Sequence, residues 1–110
     1  MRFLMFVCSD TEPVDPPSGP VPDVEDWVTT MDGRGIRITG EPLAHQREAA
    51  TVRVRDGKTV VTDGPFLETK EVLAGFDLLE CRDLAEAIEV AAGHPMAYSG
   101  VIELRPIREL

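Results

Sequence analysis

Asp56-Gly57 sits between two β-rich arms, residues 51–55 (TVRVR) and 58–62 (KTVVT). A two-residue Asp-Gly loop in that setting marks a type I′ hairpin, whose twist matches that of the strands it joins. An antiparallel pair over 51–62 therefore stands mid-chain, and the rest must be built around it. Upstream, residues 2–8 (RFLMFVC) form a short apolar run that reads as a buried strand. Val24, Trp27, Val28 and Met31 recur at helical spacing over 23–31, with Gly33 and Gly35 behind them as stops. Residues 35–42 alternate, with Ile36 and Ile38 on one face and Arg37 and Thr39 on the other, which predicts a half-buried strand.

Downstream the order repeats. Residues 73–81 (LAGFDLLEC) predict a long strand, and Asp83 caps a helix over 84–92, with Glu86 three residues on in capping-box position. Leu84, Ala87, Ile88 and Ala91 form the predicted apolar stripe, and Gly93 and Pro95 end the helix. Residues 101–107 (VIELRPI) close as a strand whose Pro106 points to an edge or terminal position. The sum is β-α-β, hairpin, β-α-β. That order predicts an α+β, ferredoxin-like antiparallel sheet with two helices on one face. Residues 10–22 hold five prolines and predict a loop, since proline lacks a ladder donor and fixes its own φ.

A chain of 110 residues predicts one domain over 1–110, long enough for a core without metal or disulfide staples. Eleven Lys and Arg against twenty Asp and Glu give a net charge of −9. An acidic protein of this kind repels phosphate backbones and anionic lipid, which argues against nucleic acid and membrane partners. The longest apolar run, 3–8, is too short to span a bilayer and lacks the parts of a secretory leader. Cys8 and Cys81 have no CxxC spacing and read as inert buried thiols, so a reducing cytoplasm is the expected compartment.

Helices on one face leave the other face of the sheet to be explained. Asp77, Glu103 with Arg105, and Arg37 with Glu41 put charges at the centres of three strands. If those rows coincide, the open face is part apolar and part ionisable, as suits a cleft or a dimer interface. Otherwise Glu103, Arg105, Arg37 and Glu41 form solvated cross-strand pairs. Asp77 stands out because an acid within an apolar strand needs a partner or water. Arg105 is a candidate partner, and in a cleft Asp77 becomes a candidate base. Asp63 is either a second candidate base or the first residue of an Asp-Gly-Pro turn. Arg37, Lys70, Glu103 and Arg105 are candidate ligand-binding residues for a small polar or anionic molecule, the three cations as its anchors. His94, ahead of Pro95, reads as a partner for the preceding helix's C-terminal dipole. His45 near Glu41 and Glu48 has no firm ligand spacing, so no metal is expected. GxGxxG, P-loop and nucleophile-elbow motifs are missing from the sequence, and no cofactor is expected.

Asp63-Gly64-Pro65-Phe66, Glu68-Thr69-Lys70-Glu71, Leu73-Ala74-Gly75-Phe76, residues 82–95 (RDLAEAIEVAAGHP) and 102–107 (IELRPI) follow one another in order. This set resembles the YCII-related family, in particular the subgroup named for its DGPF tetrapeptide. The resemblance implies a ferredoxin-like fold and a homodimer whose sheets face each other in a dimeric α+β barrel. It implies two readings of function. One is a small-molecule-binding or enzyme-like cleft; the other is a non-catalytic companion of an extracytoplasmic-function sigma factor. Family members with a proposed active site carry a histidine in the first helix paired with an aspartate. Residues 23–31 contain no histidine, so that dyad does not carry over.

Overall fold

A computed structural model describes residues 1–10, 12, 14–65 and 71–109. Strand β1 (Arg2–Asp10) leads through the proline segment to helix α1 (Val24–Gly33) and strand β2 (Arg37–Pro42). A 3-10 turn (Gln46–Glu48) precedes β3 (Ala50–Arg55) and β4 (Lys58–Asp63). Then come β5 (Glu71–Glu80), α2 (Leu84–Ala92), a short α3 (Met96–Ser99) and β6 (Gly100–Pro106). Four strands form one antiparallel sheet in the order β2-β5-β1-β6, and β3 and β4 pair with each other in a sheet of their own. The fold is α+β and ferredoxin-like, with the hairpin inserted between β2 and β5.

Local chemistry explains each start and stop. Asp56 and Gly57 both take positive φ, 51° and 73°, as a type I′ turn requires. The Asp23 carboxylate accepts from the Glu25 and Asp26 amides and opens α1. At α2 the Asp83 carboxylate accepts from the Glu86 amide, while Glu86 reaches back one residue beyond the cap to the Arg82 amide. That bond draws Glu86 inward and turns the helix. Glu86, Ala87, Val90 and Ala91 are buried, whereas Leu84 and Ile88 of the predicted stripe lie exposed.

The pleat of β1 divides the molecule. Phe3, Met5 and Val7 face the helices and join Trp27, Met31, Leu79, Ala87, Val90 and Ala91 in the core. Met5 and Leu79 are fully enclosed, and truncating either to alanine costs about 2–5 kcal/mol. Leu4 and Phe6 point to the opposite, open face with Phe76 and Leu78, all four half-buried. The β3–β4 arm leaves Val52, Val54 and Val61 largely exposed and helps stretch the chain to 50 × 40 × 20 Å.

A carboxylate and a histidine share one apolar cavity

Register decides which charges meet. Met5 lies opposite Asp77 on β5 and Leu104 on β6, whereas Phe6 lies opposite Phe76 and Glu103. Asp77 therefore faces the helices while Glu103 and Arg105 sit on the open face. This overturns the expectation of one shared row, and with it an Asp77–Arg105 pair. The partner of Asp77 is Arg37, whose Nε donates to Oδ1 at 2.8 Å. A bulge in β2 brings Arg37 there. The register against β5 slips between Arg37 and Thr39, so Ile38 is left out of the ladder and exposed, and the predicted Ile36/Ile38 face is broken. Arg37 Nη1 also donates to Asp32 at 3.2 Å and Nη2 to the Gly40 carbonyl at 2.9 Å.

Gly40 stands opposite Asp77 in the β2–β5 ladder. A Cβ there would collide with Asp77 Oδ1 and come within 2.7 Å of the Phe76 carbonyl oxygen, so the missing side chain is the space the carboxylate occupies. Asp77 is only 6% exposed. Burial pushes its carboxyl above the usual 3.8, and the hydrogen bond and charge of Arg37 only partly oppose this. The same bond raises the Arg37 guanidinium further above its ordinary value. Burial outweighs pairing for the acid, as is common where a charge leaves water.

His94 follows the Gly93 C-cap of α2 and is 5% exposed. Its ring meets Trp27 edge-on with centroids 4.8 Å apart, and Trp27 Nε1 donates to the Val90 carbonyl at 2.9 Å. These contacts join α1 to the end of α2. Burial lowers the His94 pKa from 6.5, so the ring favours its neutral form and is a poor partner for the helix dipole. Asp77, His94, Arg37, Trp27, Val28 and Met96 line one cavity of about 340 Å³, in the size range of small-molecule sites. The sequence assigned His94 to the helix dipole because its neighbours in the chain say nothing of Trp27 or Asp77.

The other predicted residues lie elsewhere. Arg105 Nε donates to Glu103 at 3.1 Å, and both side chains are more than half exposed. Asp63 ends β4 in the open, followed by Gly64 at a φ of 95°, which fits the turn reading of Asp-Gly-Pro. Lys70, with Glu68 and Thr69, lies outside the described residues. His45 Nδ1 accepts from the Arg47 amide and caps the 3-10 turn. Among the described residues no group of three His, Cys, Asp or Glu could hold a metal ion, and no helix is long and apolar enough to cross a membrane. Cys81 is buried and its thiol is pushed up by desolvation, while Cys8 is only half-buried.

A four-stranded antiparallel sheet carrying its helices on one face, with a cavity beneath the first of them, defines a ferredoxin-like α+β protein. The chain belongs to the YCII-related domain family, whose profile matches residues 1–110. It is similar to an uncharacterised protein of Rhizobium meliloti (strain 1021), 48% identical over 61 residues, or 54% of this chain and 49% of that protein. The matched stretch thus spans about half the length of that relative.

Proposed function

We propose that the protein binds a compact, largely apolar small molecule in the cavity beneath α1, and that Asp77 takes or gives a proton there. The observation that carries this reading is the meeting of a buried carboxyl of raised pKa with an apolar cavity of about 340 Å³. Asp77 Oδ1 is held by Arg37, and its second oxygen accepts no hydrogen bond from the described residues. Arg37 is spent on Asp77, Asp32 and Gly40, so it serves the carboxylate and leaves little for an anionic ligand. A neutral ligand fits this balance better than an anion.

Trp27 lines the cavity and is the single tryptophan of the chain, so its fluorescence reports occupancy. Titration with compact cyclic molecules should change that emission saturably and raise the Tm, and Val28→Phe should abolish both responses. A flat titration across such a panel, with no adduct in native mass spectrometry, would refute the reading.

We read the motif order as favouring the DGPF subgroup, and the sparse cysteines Cys8 and Cys81 as favouring a reducing cytoplasm. The half-buried apolar residues Leu4, Phe6, Phe76 and Leu78 favour a homodimer joined through the open sheet faces. Light scattering at micromolar concentration tests that association. A sigma-factor companion role rests on the resemblance and on the net charge of −9. It would use the outer surface, and salt-sensitive capture of a basic partner would favour it over the cavity.

A further inference from the structure

We infer that the cavity is built for a neutral carbonyl compound, with His94 Nε2–H donating to the carbonyl oxygen and Asp77 facing the adjacent C–H. This rests on the cavity reading above and deepens it. The argument begins with the backbone. The Met96 amide donates to His94 Nδ1 at 3.0 Å, so in the neutral ring the proton sits on Nε2. Trp27 packs against the ring and fixes its plane. Nε2 donates to nothing within the described residues, although the side chain is 95% buried by its 5% exposure. Among those residues no fully enclosed side-chain nitrogen or oxygen lacks a partner, so Nε2 must touch open volume. His94 lines the cavity, and we take that cavity as the volume Nε2 meets.

An N–H that opens onto the cavity with no protein partner is available to a ligand oxygen, which takes the place of water there. Nε2 cannot serve as a base in this tautomer, because it already carries the proton. It selects an acceptor. A carbonyl so held is polarised, and a C–H bond next to it becomes more acidic. Asp77 Oδ2 can take that proton. The C–H electron pair becomes the C=C of an enolate, and negative charge develops on the oxygen that His94 holds. Returning the proton to the same carbon restores the ketone, and placing it on the oxygen gives the neutral enol, with no oxidant or co-reactant consumed.

The test uses 1-indanone and indane, which share a frame and differ by the carbonyl oxygen. Trp27 fluorescence should show the ketone binding at least about tenfold more tightly, since a site with a buried donor rejects the isostere that leaves it unpaired. In His94→Phe the preference should vanish while indane still binds. Should that variant fail to fold, the wild-type protein with ¹⁵N-labelled histidine gives the same answer: the His94 Nε2 resonance should move with 1-indanone and stay put with indane. In D₂O the wild-type protein should speed deuterium entry at C2 of the ketone, and Asp77→Asn should abolish the gain. Equal binding of the two probes would overturn the donor assignment and leave the cavity reading standing. Preferential ketone binding without faster exchange would overturn the proton transfer. Failure of both probes to bind would remove the cavity reading itself.

Discussion

Among the described residues, two arginine–carboxylate pairs joined through Nε lie on opposite faces of one sheet. Arg37 Nε meets Asp77 at 2.8 Å and Arg105 Nε meets Glu103 at 3.1 Å. Their surroundings could hardly differ more. The Arg37–Asp77 side chains are 17% and 9% exposed, lie under α1 and border the cavity; those of Arg105 and Glu103 are 71% and 54% exposed. Distance alone says nothing of what such a pair does. Exposure decides whether removing one partner strands a charge or merely frees a side chain into water.

The sharpest way to break the comparison is to delete each arginine. Arg37→Ala should destabilise the protein by about 3 kcal/mol at neutral pH, because Asp77 is left buried without its donor. Arg105→Ala should cost less than about 1 kcal/mol. Urea denaturation of both variants measures the gap directly. Equal losses would mean that burial is not what separates the pairs.

Gly40→Ala attacks the inner pair from the other side. The added Cβ would displace the Asp77 carboxyl, and we expect a loss of about 2 kcal/mol from overpacking. The cause is checkable by a double-mutant cycle, since Asp77→Ala should absorb most of that penalty if the carboxylate is what the methyl strikes. A full penalty in that background would shift the blame to the Phe76 carbonyl, which is the next atom in the way.

The two titrating groups of the cavity give opposite slopes with pH. Asp77 holds its proton to higher pH in the folded chain than in the unfolded one. Stability should therefore fall as pH rises from 3.8 toward the folded value, where the penalty is complete, and Asp77→Asn should flatten that part of the curve. His94 resists protonation in the folded chain, whereas the unfolded chain takes the proton near 6.5. Stability should rise as pH climbs from the folded value to 6.5, and His94→Phe should remove the rise. Urea midpoints collected from pH 3 to 8 test both signs together.

What the sequence made legible was the part governed by local rules. The Asp56-Gly57 turn, the Asp83 cap and the strand over residues 2–8 depend on a few adjacent residues, and all stand where the pattern put them. Asp77 also announced itself, because an acid inside LAGFDLLEC breaks its surroundings. Its partner did not. The choice of Arg37 over Arg105 turns on a one-residue bulge at Ile38, and a slip of one residue exchanges the two faces of a strand. Likewise α2 buries Glu86, which bonds the Arg82 amide, and leaves Ile88 exposed, a choice the apolar stripe alone does not show. His94 showed only a helix-ending turn in its local pattern. Its role depends on Trp27, 67 positions away in the chain, and on a backbone amide two residues on.

The smallest effect expected is also the one that speaks to the open face. Glu103→Ala removes a carboxylate that is half exposed and bonded at 3.1 Å to a still more exposed arginine. In a monomer that change should cost less than about 1 kcal/mol and fade further in high salt. If a second copy covers Leu4, Phe6, Phe76 and Leu78, the same pair is drawn out of water at the rim or centre of the interface. Loss of Glu103 would then strand Arg105 beside apolar surface, and the shift in Tm should grow with protein concentration as the dimer fills. Thermal unfolding of wild type and Glu103→Ala across a hundredfold concentration range separates the cases. A shift that stays small and constant marks the pair as solvated, whereas a growing one would give the outer pair the weight that burial already gives the inner.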